Sequence, residues 1–183
     1  MELTMPSLFC DMPLGRFCLE EMCGALTRIQ WLGSGCVGAG AGERPYADGP
    51  SPLLHEAERQ LRGYFSGRLR SFDLPLSPQG TDFQKSVWSA LCSIGWGELR
   101  AYGDIARAVG SPKAFRAVGM ACHCNPLMVV VPCHRVLGAG GWLTGYAGGL
   151  ELKRSLLELE GWAVRESGQN VSGRHDGCLR VTV

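Results

Sequence analysis

Val129-Val130-Val131-Pro132-Cys133-His134-Arg135-Val136 is the stretch from which the rest of the chain is read. Three β-branched residues have the composition of a buried strand, and a proline, which has no N–H for a ladder, ends it. The run predicts a strand over residues 129–131 that delivers a thiol beside an imidazole. The thiolate is the reactive form of cysteine, and a neighbouring imidazole can accept its proton. Side chains alternate between the faces of a strand, so Cys133 and His134 cooperate only if the strand has ended, or through a water. A buried cysteine is also a common packing residue, and both readings stand.

The whole chain bounds the options. Its 183 residues are 45% hydrophobic, enough for one large or two small cores. A formal net charge of +1 gives no global field, so any nucleic-acid footprint must be local. Nine cysteines is an odd count, and Met1-Glu2-Leu3-Thr4-Met5-Pro6 is no secretory signal, so reduced thiols and a cytoplasmic protein are expected, nuclear in a eukaryote. No segment reaches the roughly 20 apolar residues that cross a bilayer, so no membrane role is expected.

Residues 1–76 read as an α/β domain. The turn signal Asp11-Met12-Pro13-Leu14-Gly15 leads into an expected hairpin, residues 16–21 against 25–32. Residues 34–50 are Gly-, Ala- and Pro-rich and expected to be a loop or partly disordered. Ser51-Pro52 supplies an N-cap and an N1 proline, and Leu53, Leu54, Ala57, Leu61, Tyr64 and Phe65 recur at helical spacing up to Gly67. A short strand is expected over residues 72–76, then a linker over 77–80. Cys10, Cys18, Cys23, Cys36 and His55 match no compact zinc spacing, so no metal is expected.

Residues 81–161 read as a second domain. Thr81 and Gln84 form a capping box for a helix with Phe83, Val87, Leu91 and Ile94 on one stripe. A second helix is expected over 102–109, with Gly110 as a left-handed cap, and a third opening at Ser111-Pro112. Two short helices joined by Gly-Ser-Pro have the shape of a helix-turn-helix, although an ordinary α-hairpin reads the same way. Arg100, Arg107, Lys113 and Arg116 against Asp104 make a local +3. Phosphates attract such a patch. Ala114, Ala117 and Ala121, with Gly119 nearby, leave one face of the third helix nearly bare, fit for a narrow groove or for another helix. Arg116 on that helix reads as a phosphate contact, a surface charge or a side chain inserted into a base stack. Cys122-His123-Cys124 reads as ordinary exposed or half-buried residues. Residues 162–183 are polar and expected to be a disordered tail.

Phe83-Gln84, Ala101-Tyr102-Gly103, Pro112-Lys113-Ala114, Arg116-Ala117-Val118-Gly119, Asn125-Pro126, Pro132-Cys133-His134-Arg135-Val136 and Gly145-Tyr146-Ala147-Gly148-Gly149 resemble, in order and spacing, the O6-alkylguanine-DNA alkyltransferases. The match is dense from Phe83 to Gly161 and looser before it. The resemblance implies a ribonuclease H-like N-terminal domain and a mainly helical, winged-helix-like C-terminal domain. It implies a monomer that binds double-stranded DNA containing O6-alkylguanine through the minor groove, flips the base and takes its alkyl group irreversibly onto Cys133, with no cofactor. In that scheme His134 withdraws the thiol proton through a water, Glu160 orients the histidine, Tyr102 serves the base at N3 and Asn125 joins the helical unit to the active-site loop. Arg116 fills the vacated stack. Lys113, Ala114, Ala117 and Gly119 belong to the DNA-facing helix, and Val136, Tyr146, Ala147 and Gly148 to the pocket. Phe115 and Met120 are bulkier than many relatives carry there, and Ala147 stands where some have serine. The rival readings are a helix-turn-helix protein that recognises alkylated DNA without transfer, and a cysteine hydrolase. Papain-like hydrolases bring their histidine from far along the chain, which the adjacent pair does not match.

Overall fold

A computed structural model of the chain describes residues 6–34, 50–165 and 170–174. It divides into two units, Met1–Gln79 and Gly80–Val183.

In the first unit, β1 (Ser7–Met12), β2 (Gly15–Met22) and β3 (Ala25–Gly33) form an antiparallel sheet in the order β1-β2-β3. The expected hairpin is β2–β3, and β1 adds a strand on its free side, pairing Cys10 with Phe17. Helix α1 (Pro52–Phe65) starts where Ser51 Oγ accepts the Leu54 N–H at 3.2 Å. Its buried stripe of Leu54, Ala57, Leu61, Tyr64 and Phe65 joins Phe17, Leu19, Leu26 and Ile29 in the core, with the Phe17 and Phe65 rings 5.5 Å apart. Burying a side chain of this size stabilises by about 1.5–3 kcal/mol.

The strand expected over residues 72–76 shrinks to one parallel bridge, Leu26 to Leu76. Pro75 accepts from the Leu26 N–H through its carbonyl but has no N–H of its own to extend a ladder. Buried Gln60 fixes this segment instead, donating to the Asp73 carbonyl and accepting its N–H, both at 2.9 Å. Cys10 and Cys18 are buried, and burial pushes their thiols up to about 12 and about 11. Cys23 and His55 are exposed, while Cys36 and nearly all of the expected 34–50 loop lie outside the described residues.

The second unit opens with α2 (Asp82–Cys92), capped as its sequence predicts: Thr81 accepts from the Gln84 N–H at 3.2 Å and Gln84 accepts from the Thr81 N–H at 2.8 Å. After β4 (Arg100–Ala101) come α3 (Tyr102–Ala108) and α4 (Phe115–His123). Between them Gly110 takes φ 71°, the left-handed conformation that lets the Ser111 N–H turn back onto the Ala106 carbonyl. The third helix starts four residues later than Ser111-Pro112 suggested, since Ser111 to Ala114 form a turn, so Lys113 and Ala114 precede α4 rather than lie within it. Helices α2, α3 and α4 pack on one another, and buried Trp88 donates its indole N–H to the Ala121 carbonyl at 2.8 Å.

Next, β5 (Val136–Leu137) pairs in parallel with β4, and α5 (Gly149–Leu159) follows. The tail expected to be disordered carries an antiparallel pair, β6 (Trp162–Arg165) and β7 (Asn170–Arg174). Trp162, Val164 and Val171 pack against Leu137, Leu143 and Leu157, which gives that pair the apolar backing the polar composition concealed. Residues 166–169 and 175–183 of the tail lie outside the described residues. Among the described residues no helix is long and apolar enough to cross a membrane.

Candidate active site

Residues 129–131 are not a strand. The Val130 N–H bonds the Met128 carbonyl across Val129, whose φ is 72°. That is the rare, strained hand of γ-turn, on a β-branched residue that ordinarily avoids positive φ. Pro132, at φ −84° and ψ 60°, makes the relaxed inverse γ-turn, with the Cys133 N–H on the Val131 carbonyl at 2.8 Å. A short continuous apolar run fits any fully buried segment, which is why its composition suggested a strand.

Asn125 holds this irregular segment together. Its Oδ1 accepts the Leu127 N–H at 3.0 Å, and its Nδ2 donates to the Val131 carbonyl at 2.9 Å and to Cys133 Sγ at 3.2 Å. One buried side chain thus fixes both ends of the loop and touches the sulfur.

Cys133, His134 and Arg135 form one turn of 3-10 helix, all buried, so the strand has ended before the thiol. His134 Nε2 lies 3.0 Å from Glu160 Oε1. Arg135 donates from Nε to both Glu160 oxygens at 3.0 Å, from Nη2 to Oε1 at 2.7 Å, and from Nη1 to the Ile94 carbonyl. The Gly97 N–H adds a bond to Oε2 at 3.1 Å. Glu160, the residue after α5, is therefore an internal anion. Burial would raise its carboxyl, but His134 and Arg135 more than reverse that and hold it down at about 2, the guanidinium being the partner that is always charged. Burial lowers His134 despite Glu160, leaving a neutral imidazole able to take a proton. Burial also raises Cys133, opposed by the hydrogen bonds from Asn125 and Tyr146 and by the Lys153 charge. At rest the pair is a thiol and a neutral imidazole.

Lys153 was not foreseen. It is fully buried on the apolar stripe of α5 with Leu152, Leu156 and Leu157, and its Nζ donates to the Val136 carbonyl at 2.7 Å and the Thr144 carbonyl at 3.1 Å. Burial lowers its ammonium to about 8, against the attraction of Cys133 and Cys122. A lysine among leucines at helical spacing was the available signal, since a charge on a buried stripe needs partners. Arg135, within the Pro132–Val136 motif, carries no sequence signal for the ion pair it makes with Glu160.

Tyr102 begins α3, and its hydroxyl oxygen accepts from Thr144 Oγ1 at 3.1 Å. Burial raises its phenol, and the Thr144 bond opposes the rise. Tyr102, Phe115, Gly119, Thr144 and Gly145 line a cavity of about 620 Å³. Val136 and Tyr146 are buried, whereas Ala147 is exposed. At Gly148 a Cβ would come within 2.6 Å of Leu152 Cδ2 and 2.9 Å of Met128 Cε, so a side chain there would require those two side chains to shift.

The outer surface of α4 differs from the bare face expected. Ala121 turns inward onto Trp88 and is buried with Val118 and Cys122, while Ala117, Arg116, Phe115 (49% exposed) and Met120 (61% exposed) face out. Arg116 stands over the Phe115 ring at 5.8 Å. Of the local cations, Arg100 pairs with Glu98 and Arg107 with Asp104; among the described residues Lys113 and Arg116 are in no ion pair. His123 and Cys124 are exposed at the end of α4. Among the described residues no three His, Cys, Asp or Glu side chains are grouped to hold a metal ion.

The chain is similar to known proteins over this region and beyond it. Residues 82–162 match the family model described as 6-O-methylguanine DNA methyltransferase, DNA binding domain. Over 156 residues the chain is 57% identical to a methylated-DNA–protein-cysteine methyltransferase of Mycobacterium bovis, covering 82% of this chain and 88% of that one. The crystal structure of the Mycobacterium tuberculosis O6-methylguanine methyltransferase superposes with a TM-score of 0.72 at 43% identity, covering 86% of this chain and 93% of the other. That of the Mycobacterium tuberculosis OGT in complex with DNA gives 0.71 at 44% identity, covering 83% and 90%.

Proposed function

The chain belongs to the methylated-DNA–protein-cysteine methyltransferase family, and from that premise we infer that the buried Cys133 site performs the family's reaction. The protein repairs DNA by transferring an alkyl group from O6 of guanine to its own cysteine, once per molecule. One observation carries the assignment of the acceptor: Cys133 Sγ lies 3.2 Å from Asn125 Nδ2, next to the buried His134–Glu160 pair. Displacement at an alkyl carbon calls for a soft, strong nucleophile, which a thiolate is, and for no cofactor.

His134 accepts the Cys133 proton through a water, using Nδ1, since Nε2 bonds Glu160. As sulfur loses its proton, Asn125 and the buried Lys153 ammonium stabilise the charge that burial penalises. The imidazolium is in turn stabilised by Glu160, which Arg135 and the Gly97 N–H hold in place. Sulfur attacks the alkyl carbon, the C–O6 bond breaks, and its electron pair leaves with the guanine. Tyr102 donates to N3 of that base. The thioether has no leaving group for a second turnover.

The reacting carbon is out of reach inside a duplex, so the base is flipped into the cavity beside Tyr102. Arg116 fills the gap in the stack and Lys113 holds phosphate. Helix α4 enters the minor groove with Ala114, Ala117 and Gly119 closest to the DNA. Val136, Tyr146, Ala147 and Gly148 form the pocket wall. The protein works as an intracellular monomer, with a ribonuclease H-like N-terminal domain over residues 1–76, a linker over 77–80 and a winged-helix-like domain over 81–161.

Incubation with a duplex carrying labelled O6-methylguanine tests this reading. Label is expected on the protein to one equivalent in the wild type and none in Cys133→Ala. Label on Cys133→Ala, or turnover past one equivalent, would overturn it.

A further inference from the structure

Thr144 has no part in the scheme above, yet its surroundings fix it from three sides. Its carbonyl accepts from Lys153, whose Nζ is anchored a second time on the Val136 carbonyl. Its methyl group packs against Gly138, where a Cβ would sit 3.0 Å from Thr144 Cγ2. Its hydroxyl points at Tyr102, 3.1 Å from the phenol oxygen, in the wall of the cavity that both residues line.

We propose that Thr144 is a positioning residue for alkyl transfer: by donating into the Tyr102 hydroxyl oxygen it turns the phenol proton toward the departing guanine and stabilises the phenolate left when that proton is given up. The proposal rests on the assignment of Tyr102 as donor to the leaving base. A hydroxyl carries one proton and two lone pairs. With one lone pair occupied by Thr144, the Tyr102 O–H is free to aim elsewhere, and the open side is the cavity. In the reaction the S–C bond forms as the C–O6 bond breaks, and the electron pair departs on guanine. The Tyr102 proton passes to N3, and the proton that His134 took from Cys133 restores the phenol. The negative charge thus rests briefly on the phenol oxygen, where a fixed donor counts most. The direction of the tyrosine's acidity agrees: burial raises the phenol and the Thr144 bond opposes that rise. Lys153 also holds the main chain of the residue that carries this hydroxyl.

The test is a double-mutant cycle read with free O6-benzylguanine, which needs no base flipping. Thr144→Val, near in shape but without the hydroxyl, should react about 3–10-fold more slowly than wild type, the worth of one hydrogen bond. Thr144→Ser, which keeps the hydroxyl, should restore most of that rate. Tyr102→Phe should be slow, and adding Thr144→Val to it should cost nothing further. With an O6-benzylpurine made a better leaving group by an electron-withdrawing substituent at C8, the Thr144→Val deficit should shrink, which a general loss of folding would not produce. If Tyr102→Phe is slow while Thr144→Val matches wild type, or if the two losses multiply, the role of Thr144 is wrong and that of Tyr102 stands. If Tyr102→Phe itself reacts like wild type, both assignments fall together.

Discussion

At the scale of single residues, buried charge converges on Glu160, which touches an imidazole, a guanidinium and a backbone N–H. Glu160→Gln removes the anion and leaves Arg135 buried without it, so a loss of about 3–5 kcal/mol is expected, readable as a lower denaturant midpoint. The pH dependence has a definite sign. Glu160 at about 2 in the folded state lies below its ordinary 4.5, so its contribution is full above 4.5 and is lost as pH falls toward 2. Acid titration of wild type should therefore show a steep loss of stability in that window, and Glu160→Gln a flatter one. For the reaction, the raised thiol makes alkyl transfer faster as pH rises, and His134→Ala should shift the rate profile to higher pH; an unchanged profile would remove His134 from thiol activation. His134 was legible from its place beside Cys133, whereas Asn125 and Glu160 were legible only through motif resemblance, Glu160 because it lies 26 residues from the histidine it holds. Lys153 is marked in the sequence only by its place among leucines on a buried stripe, and the two main-chain carbonyls that hold it leave no sequence signal.

At the scale of elements, local chemistry was readable and buried irregular chain was not. The Ser51 cap, the Thr81 box and the Gly110 turn each depend on neighbours within five residues, and each forms as the sequence predicts. The loop before Cys133 depends on Asn125 reaching Val131 and Cys133, so its valines suggested a strand that is absent. Helix α4 carries a prediction of its own. Arg116→Ala should slow repair of duplex DNA by more than it slows reaction with free O6-benzylguanine, because only the duplex needs a filled stack; equal losses would contradict the finger role. Phe115 and Met120 stand on either side of that arginine in sequence and are both exposed, so an apolar surface accompanies the basic one. Phe115→Ala should follow the same pattern more weakly, since it removes the ring over which the guanidinium sits.

For the whole molecule, the second unit contains every residue assigned a chemical role, from Gly97 to Glu160, and the first unit contributes none of them. The modest net charge is compatible with the proposed DNA contact through one helix and the turn before it. Two paired strands beyond Gly161 extend the apolar core around Leu137, Leu143 and Leu157, so truncation after Gly161 should lower the melting temperature. In the proposed reaction Cys133 itself receives the alkyl group and keeps it. Peptide mass mapping after incubation with excess O6-methylguanine duplex measures that directly. One added methyl group is expected on the peptide containing Cys133, saturating at one per protein. A methyl group on any other cysteine, or free methylated product accumulating with Cys133 unmodified, would contradict it.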